Sequence, residues 1–66
     1  MKLIDLLKMM DETLLIQLEI DNGEFLEYTS CLVPWIYMNY EVAGISSPVG
    51  ENTKAKIRII LDLKFF

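Results

Sequence analysis

Alternation between apolar and polar residues is strongest at the end of the chain, in residues 53–66. Charged residues fill most of the gaps between apolar ones, and a period of two is typical of a strand with one buried and one solvated face. The apolar positions of this pattern are Ala55, Ile57, Ile59, Leu61, Leu63 and Phe65. We therefore predict a long final strand in the middle of a small sheet. It would pair with the third strand in a hairpin, and the first strand is a candidate second neighbour.

Residues 2–10 carry a different period and predict an amphipathic helix. Their apolar side chains recur at spacings of three and four, which places them on one helix face. The members of that face are Leu3, Ile4, Leu7 and Met10. A helix of about two to three turns is marginal in water. We therefore expect it to dock on the sheet.

The middle of the chain predicts three further strands and turns. Residues 13–20 and 25–32 flank Asn22-Gly23, and Asn-Gly between two strands indicates a hairpin with a type I′ turn. Pro34 predicts a single helical turn over 34–38, which Asn39 is expected to leave in a left-handed conformation.

A third strand over 40–45 and a loop over 46–52 complete the chain. The predicted fold class is α+β, with an N-terminal helix packed on a small, mostly antiparallel four-stranded sheet in the order α-β-β-short turn-β-β. Residues 1–66 form a single domain, because a chain of 66 residues has no room for a second.

The apolar content is high for so short a chain. Apolar residues make up 53% of the sequence, and the mean hydropathy is +0.33. A domain of this size buries only about 60% of the surface that its unfolded chain exposes. We therefore predict a homo-oligomer, a dimer or larger, or an apolar patch kept for a partner. A monomer with an apolar surface is the alternative.

The charge is acidic, with ten acids against six bases and no histidine. A net charge of −4 disfavours direct binding of nucleic acid, because phosphate contacts need lysine and arginine. The single cysteine, Cys31, forms no internal disulfide, which fits a reducing cytosol. Asp5 and Lys8 interrupt the apolar start, so we expect no signal peptide, no membrane association and a cytoplasmic location.

Catalytic constellations find no support in the sequence. Without histidine, Ser-His and Cys-His nucleophile pairs and the usual zinc ligand sets are missing. The isolated residues Gly23, Gly44 and Gly50 match neither a P-loop nor a dinucleotide fingerprint. We expect a protein that is not an enzyme and has no catalytic residue, no cofactor and no metal site.

Basic residues of one parity follow the final strand. Lys54, Lys56 and Arg58 are predicted to project from one face of the sheet, and Lys64 continues the stripe. One interpretation is a solvated face paired with acids of neighbouring strands, for which Glu19, Glu27 and Glu41 are candidates. The other is an anion or ligand site, in which nearby aromatic rings stack a nucleobase.

Aromatic residues supply the candidate partner-binding residues. Trp35, Tyr37 and Tyr40 fall within one short turn, and tryptophan and tyrosine are enriched among interface hot spots. Phe65 and Phe66 end the chain, one on each predicted face, and are candidate subunit or partner contacts. Capping of the core by Trp35 and fraying of the terminus are the alternatives.

The chain resembles small proteins of phages, prophages and integrated elements of Gram-positive bacteria. The likeness rests on Leu3-Ile4-Asp5-Leu6-Leu7-Lys8, Met10-Asp11-Glu12-Thr13, Asp21-Asn22-Gly23-Glu24, the Pro34 turn and the strand from Glu41-Val42 to Ile45. It implies an origin in a mobile element. With the acidic charge and the aromatic turn, it suggests a non-enzymatic inhibitor of a host defence effector, such as a CRISPR nuclease.

Two alternatives remain open. The first is an oligomeric sponge that sequesters a nucleotide second messenger at a subunit boundary, where Arg58, Lys56 and the aromatic turn would surround it. The second is a small structural or assembly subunit of a phage particle, which needs the oligomer but no ligand.

Overall fold

A computed structural model describes residues 1–20 and 24–62, and this part of the chain contains one short α-helix and a four-stranded mixed sheet. The helix is α1 (Leu3–Leu7), and the strands are β1 (Leu15–Glu19), β2 (Phe25–Thr29), β3 (Glu41–Ser46) and β4 (Ile57–Asp62). Two 3-10 helices, Ser30–Leu32 and Trp35–Tyr37, lie between β2 and β3. The predicted α+β class is confirmed.

The strand order in the sheet is β2-β1-β4-β3. β1 and β2 are antiparallel, as are β3 and β4, whereas β1 and β4 are parallel. The final strand is therefore internal and pairs with the third, as the alternation predicted. The spatial order nevertheless differs from the order along the chain, because β4 inserts beside β1.

The predicted helix over 2–10 is wrong in its length, since α1 has five residues. Its start is fixed by tertiary contacts: the N–H groups of Leu3 and Ile4 donate to the carbonyls of Tyr40 and Met38, at 2.9 and 3.0 Å. The N–H of Lys8 still donates to the Ile4 carbonyl four residues back, whereas those of Met9 and Met10 donate to carbonyls three residues back. This tighter turn ends the helix.

The predicted strands are too long at several ends. The first begins at Leu15 rather than at residue 13, because the Asp11 carboxylate accepts hydrogen bonds from the N–H and hydroxyl of Thr13 and forms a turn. The second ends at Thr29, where the chain enters a 3-10 helix. The third is displaced by one residue, to Glu41–Ser46.

The final strand begins at Ile57 rather than at residue 53. The Thr53 hydroxyl accepts a hydrogen bond from the N–H of Ala55 at 3.1 Å, which turns the chain before the ladder starts. Residues 63–66, the end of that predicted strand, lie outside the described residues.

The predictions for the two turns have different outcomes. The antiparallel pairing of β1 and β2 confirms the hairpin, whereas residues 21–23, and with them the predicted turn type, lie outside the described part. Pro34 does precede a single 3-10 turn, Trp35–Tyr37. The left-handed conformation predicted for Asn39 is wrong, because no described residue other than glycine has a positive φ. The N–H of Tyr40 instead continues the turn by donating to the carbonyl of Tyr37.

The core lies on one face of the sheet. Alternate residues of the two central strands form it together with the inner side of α1 and one residue between the 3-10 helices, as period-two burial requires. The buried apolar cluster consists of Leu3, Leu6, Ile16, Leu18, Val33, Ile59 and Leu61.

The other face of the sheet is partly covered by the β3–β4 connection, which is held by Gln17. This side chain is 2% exposed. Its amide pairs with the backbone of Val49 in both directions: Nε2 donates to the carbonyl at 2.6 Å, and Oε1 accepts from the N–H at 2.8 Å. Nε2 also donates to the Glu27 carboxylate at 2.8 Å, and the Thr53 hydroxyl donates to the same carboxylate at 2.7 Å.

The two edge strands of the sheet differ in what pairs with them. The chain start lies along β3, where the N–H of Val42 donates to the Met1 carbonyl at 2.8 Å and Lys2 forms a β-bridge with Glu41. The Met1 ammonium also pairs with the Glu41 carboxylate at 3.1 Å. β2 forms the opposite edge.

A candidate interaction surface

The segment that links β2 to β3 is fixed at both ends by hydrogen bonds. At its start, the N–H and the hydroxyl of Ser30 donate to the carbonyls of Leu14 and Asp11, at 2.8 and 2.6 Å. At its end, the carbonyls of Met38 and Tyr40 accept the first N–H groups of α1. Between these anchors, Val33 is 6% exposed and belongs to the core. The backbone of the segment is therefore anchored at both of its ends.

Three large apolar side chains of this segment point into solvent. Trp35 is 80% exposed, Leu32 69% and Ile36 51%. We call these three residues the apolar turn. Val33, which follows Leu32 in the sequence, is by contrast buried. A fixed backbone that presents a solvated tryptophan loses little conformational entropy when another surface covers it.

Tyr37 and Tyr40 support the apolar turn rather than project with it. Both are half-buried and pack against the core. The Tyr37 ring lies 6.3 Å from the ring of Tyr28 and 5.9 Å from that of Tyr40, the second pair in an edge-to-face arrangement. Burial raises the pKa of the Tyr37 phenol, and Tyr28 adds to this rise. The Tyr37 phenol therefore remains neutral near pH 7.

The basic residues do not form the predicted stripe. Lys54 and Lys56 are exposed but precede β4, so strand parity does not align them with Arg58. The Arg58 guanidinium donates to Glu19 at 3.0 Å and to the Ser46 hydroxyl at 2.8 Å, and it lies 5.6 Å from the centre of the Phe25 ring. Arg58 thus follows the cross-strand pairing interpretation, with Glu19 as its partner.

The remaining predicted site residues, Phe65, Phe66 and Lys64, lie outside the described residues. Within the described ranges the structure contains no pocket and no group of three or more potential metal ligands. None of the helices described there is long and apolar enough to cross a bilayer.

Sequence reasoning identified Trp35 but missed Leu32 and Ile36. Leu32 was placed in the second strand, although it lies in the 3-10 helix that follows. Ile36 was not among the candidate partner-binding residues. The available signal was the number of bulky residues around one turn, too many to share a single inward direction.

Comparisons of the chain with protein-family models, with curated proteins and with solved structures each find no match.

Proposed function

We propose that this chain is a non-enzymatic interaction protein that acts by placing the apolar turn against a surface of another protein. The observation that carries the proposal is the 80% exposure of Trp35 on a backbone anchored at both ends. Tryptophan is enriched among the residues that dominate binding energy at protein interfaces.

The proposed partner is a host defence effector, such as a CRISPR nuclease, and the proposed role is its inhibition. This follows from the resemblance to phage and prophage proteins, together with the acidic charge. A net charge of −4 is suited to the basic surfaces of nucleic-acid-binding proteins, because complementary charge steers association. The protein would then inhibit by occupying a surface, a role that needs no catalytic group.

The alternatives receive less support. The nucleotide sponge was to use Arg58, whose guanidinium already binds Glu19 and Ser46 within the chain. A role as a structural or assembly subunit requires self-association, but it does not explain why Trp35 is exposed to solvent.

The test is capture of a stoichiometric partner from lysate of the bacterial host, with the same experiment on Trp35→Ala. Truncation of a hot-spot tryptophan costs about 2 kcal/mol or more, so affinity for the partner should fall by about 30-fold. Ile45→Ala is the matched control, because Ile45 is an exposed apolar residue, at 56%, on β3.

A captured nuclease would then be assayed for target cleavage with and without the purified chain. The proposal fails if no stoichiometric partner is recovered. It also fails if Trp35→Ala and Ile45→Ala bind the partner as tightly as the original chain.

A further inference from the structure

The outer edge of β2 presents backbone groups in a fixed pattern. The N–H of Ser30 donates to the Leu14 carbonyl, and the N–H of Ile20 donates to the Glu24 carbonyl. Every second residue of β2 therefore points its backbone groups toward β1. The residues between them, Phe25, Glu27 and Thr29, direct their N–H and C=O groups away from the sheet. In the described part of the chain no strand pairs with them.

The other edge is protected in the ways that sheet proteins commonly use. The chain start pairs with β3, and the ladder between β3 and β4 carries an irregularity between Val42 and Gly44. β2 has no proline, no lysine and an uninterrupted register over its five residues. An unprotected, regular edge is a template for pairing with another strand.

From this contrast we infer that β2 pairs edge to edge with β2 of a second copy, in antiparallel orientation about a two-fold axis. Such an interface is self-complementary, because each copy offers the same donors and acceptors to the other. The edge of β2 would then be the surface through which the self-association predicted from the apolar content occurs. It uses none of the three residues of the apolar turn and so does not depend on the proposed function.

Charge and geometry select the register. An axis at Glu27 would place two carboxylates directly opposite each other, which is destabilising. An axis at Tyr28 would run into the 3-10 helix that begins at Ser30. An axis at Leu26 keeps the paired residues inside β2 and closes four hydrogen bonds between Phe25 of each copy and Glu27 of the other.

The register at Leu26 also leaves the side-chain contacts within each copy in place. The Glu27 carboxylate accepts hydrogen bonds from Gln17 and Thr53, and the Phe25 ring lies 5.6 Å from the Arg58 guanidinium. Pairing through the backbone groups of Phe25 and Glu27 breaks neither contact.

The expected dimer is weak. Pairing of two short strands buries well under the roughly 1,200–2,000 Å² of a stable standard interface. The molar mass should therefore rise with concentration, from 7.7 kDa toward twice that value, 15.4 kDa.

The first test compares Phe25→Pro with Phe25→Val by light scattering over a concentration series. Proline removes an N–H that points away from β1 and is tolerated at the first residue of a strand, whereas valine removes the ring but keeps the N–H. We expect Phe25→Pro to remain at 7.7 kDa and Phe25→Val to dimerise. Circular dichroism checks that both variants fold, and Trp35→Ala should dimerise like the original chain.

The second test locates the axis. In a Cys31→Ser background, Leu26→Cys places two thiols across a non-hydrogen-bonded antiparallel pair, with Cα atoms about 4.5 Å apart, within reach of a disulfide. Oxidised glutathione should link this variant into a dimer, whereas Ser47→Cys, exposed in the β3–β4 connection, should stay unlinked. Hydrogen exchange of the unmodified chain should show slower exchange at the Phe25 and Glu27 amides as concentration rises.

A mass of 7.7 kDa at every concentration would overturn the inference. So would a dimer that persists in Phe25→Pro, or one in which the Phe25 and Glu27 amides exchange as fast as in the monomer. Either dimer result would assign self-association to another surface and leave the proposed function standing.

Discussion

Replacing Gln17 with leucine tests how the covered face of the sheet is held. The side chain is 2% exposed and makes three short hydrogen bonds, two to the backbone of Val49 and one to the Glu27 carboxylate. Leucine has a similar volume but can make none of them. The substitution therefore removes the polar clamp with little change in packing volume.

The expected change in the free energy of unfolding is the difference between the hydrogen bonds lost and the apolar burial gained. Two neutral hydrogen bonds contribute about 1 kcal/mol each and the one to a carboxylate about 1.5–2 kcal/mol, a loss of about 3.5–4 kcal/mol. Burial of the leucine side chain returns about 1.5–2 kcal/mol. Gln17→Leu should thus lower the free energy of unfolding by about 2 kcal/mol, which is a large part of the roughly 3–10 kcal/mol expected for this length.

The assay is thermal and urea unfolding followed by far-UV circular dichroism, since Trp35 is too exposed to report on the core. For a domain of this size, about 2 kcal/mol corresponds to a fall in Tm of about 8–16 °C. The amide of Val49 should also lose its protection from hydrogen exchange.

A double-mutant cycle with Glu27→Gln isolates the contribution of the Gln17–Glu27 pair, and the coupling free energy should be favourable. If Gln17→Leu unfolds at the same temperature as the original chain, or higher, the clamp does not stabilise the fold and the reasoning is refuted.

Three further predictions concern backbone, pH and surface. Gly50 has a φ of +117°, so Gly50→Ala should lower the free energy of unfolding in urea by about 1 kcal/mol or more. Gly44→Ala is the control and should be close to neutral, because its new Cβ would lie 3.9 Å from Ile60. Equal losses in the two variants would contradict a role for the positive φ of Gly50. Hydrogen bonds from Gln17 and Thr53 lower the pKa of Glu27 below 4.5, so its contribution to stability is present above pH 4.5 and is lost as the pH falls through the lowered value. Glu27→Gln should reduce the slope of stability against pH in this acidic range, and an unchanged slope would count against the pairing. Trp35→Ala should leave Tm within about 2–4 °C of the original, because exposed side chains away from special contacts contribute within about 0.5 kcal/mol; a larger fall would mean that Trp35 supports the core.

Periodicity correctly predicted the features of the fold that depend on the local sequence pattern. Alternation in the final strand placed Ile59 and Leu61 on its buried face, and both are buried, because burial on one face of a strand leaves a period of two. The internal position of the final strand followed from the same pattern.

The start of the helix and the burial of Gln17 depend on tertiary contacts, which the sequence pattern does not show. The helix starts at Leu3 because carbonyls from the segment before β3 accept its first N–H groups, and no local signal carries that contact. Gln17 is a polar residue within the first predicted strand, and the alternation gives no reason for its burial. A loop 32 residues further along the chain covers it, and its amide forms hydrogen bonds that resemble those of a strand.

The candidate surface was predictable in part. The aromatic residues after Pro34 were predicted as partner-binding residues, and of these Trp35 is exposed. Which neighbours accompany it depends on where β2 ends. Leu32 became exposed because the chain enters a 3-10 helix at Ser30. The basic stripe failed for a related reason, since Lys54 and Lys56 precede the strand whose parity was to align them.

Acrylamide quenching of the single tryptophan is the most direct measurement, because Trp35 is the anchor of the proposed interaction surface. At dilutions where light scattering gives 7.7 kDa, we expect emission typical of solvated indole and quenching close to that of a free tryptophan derivative. Quenching should then fall when the captured partner binds. Emission at short wavelength with weak quenching in the monomer would show that Trp35 is buried within its own chain, and a partner-binding role for the apolar turn would be contradicted.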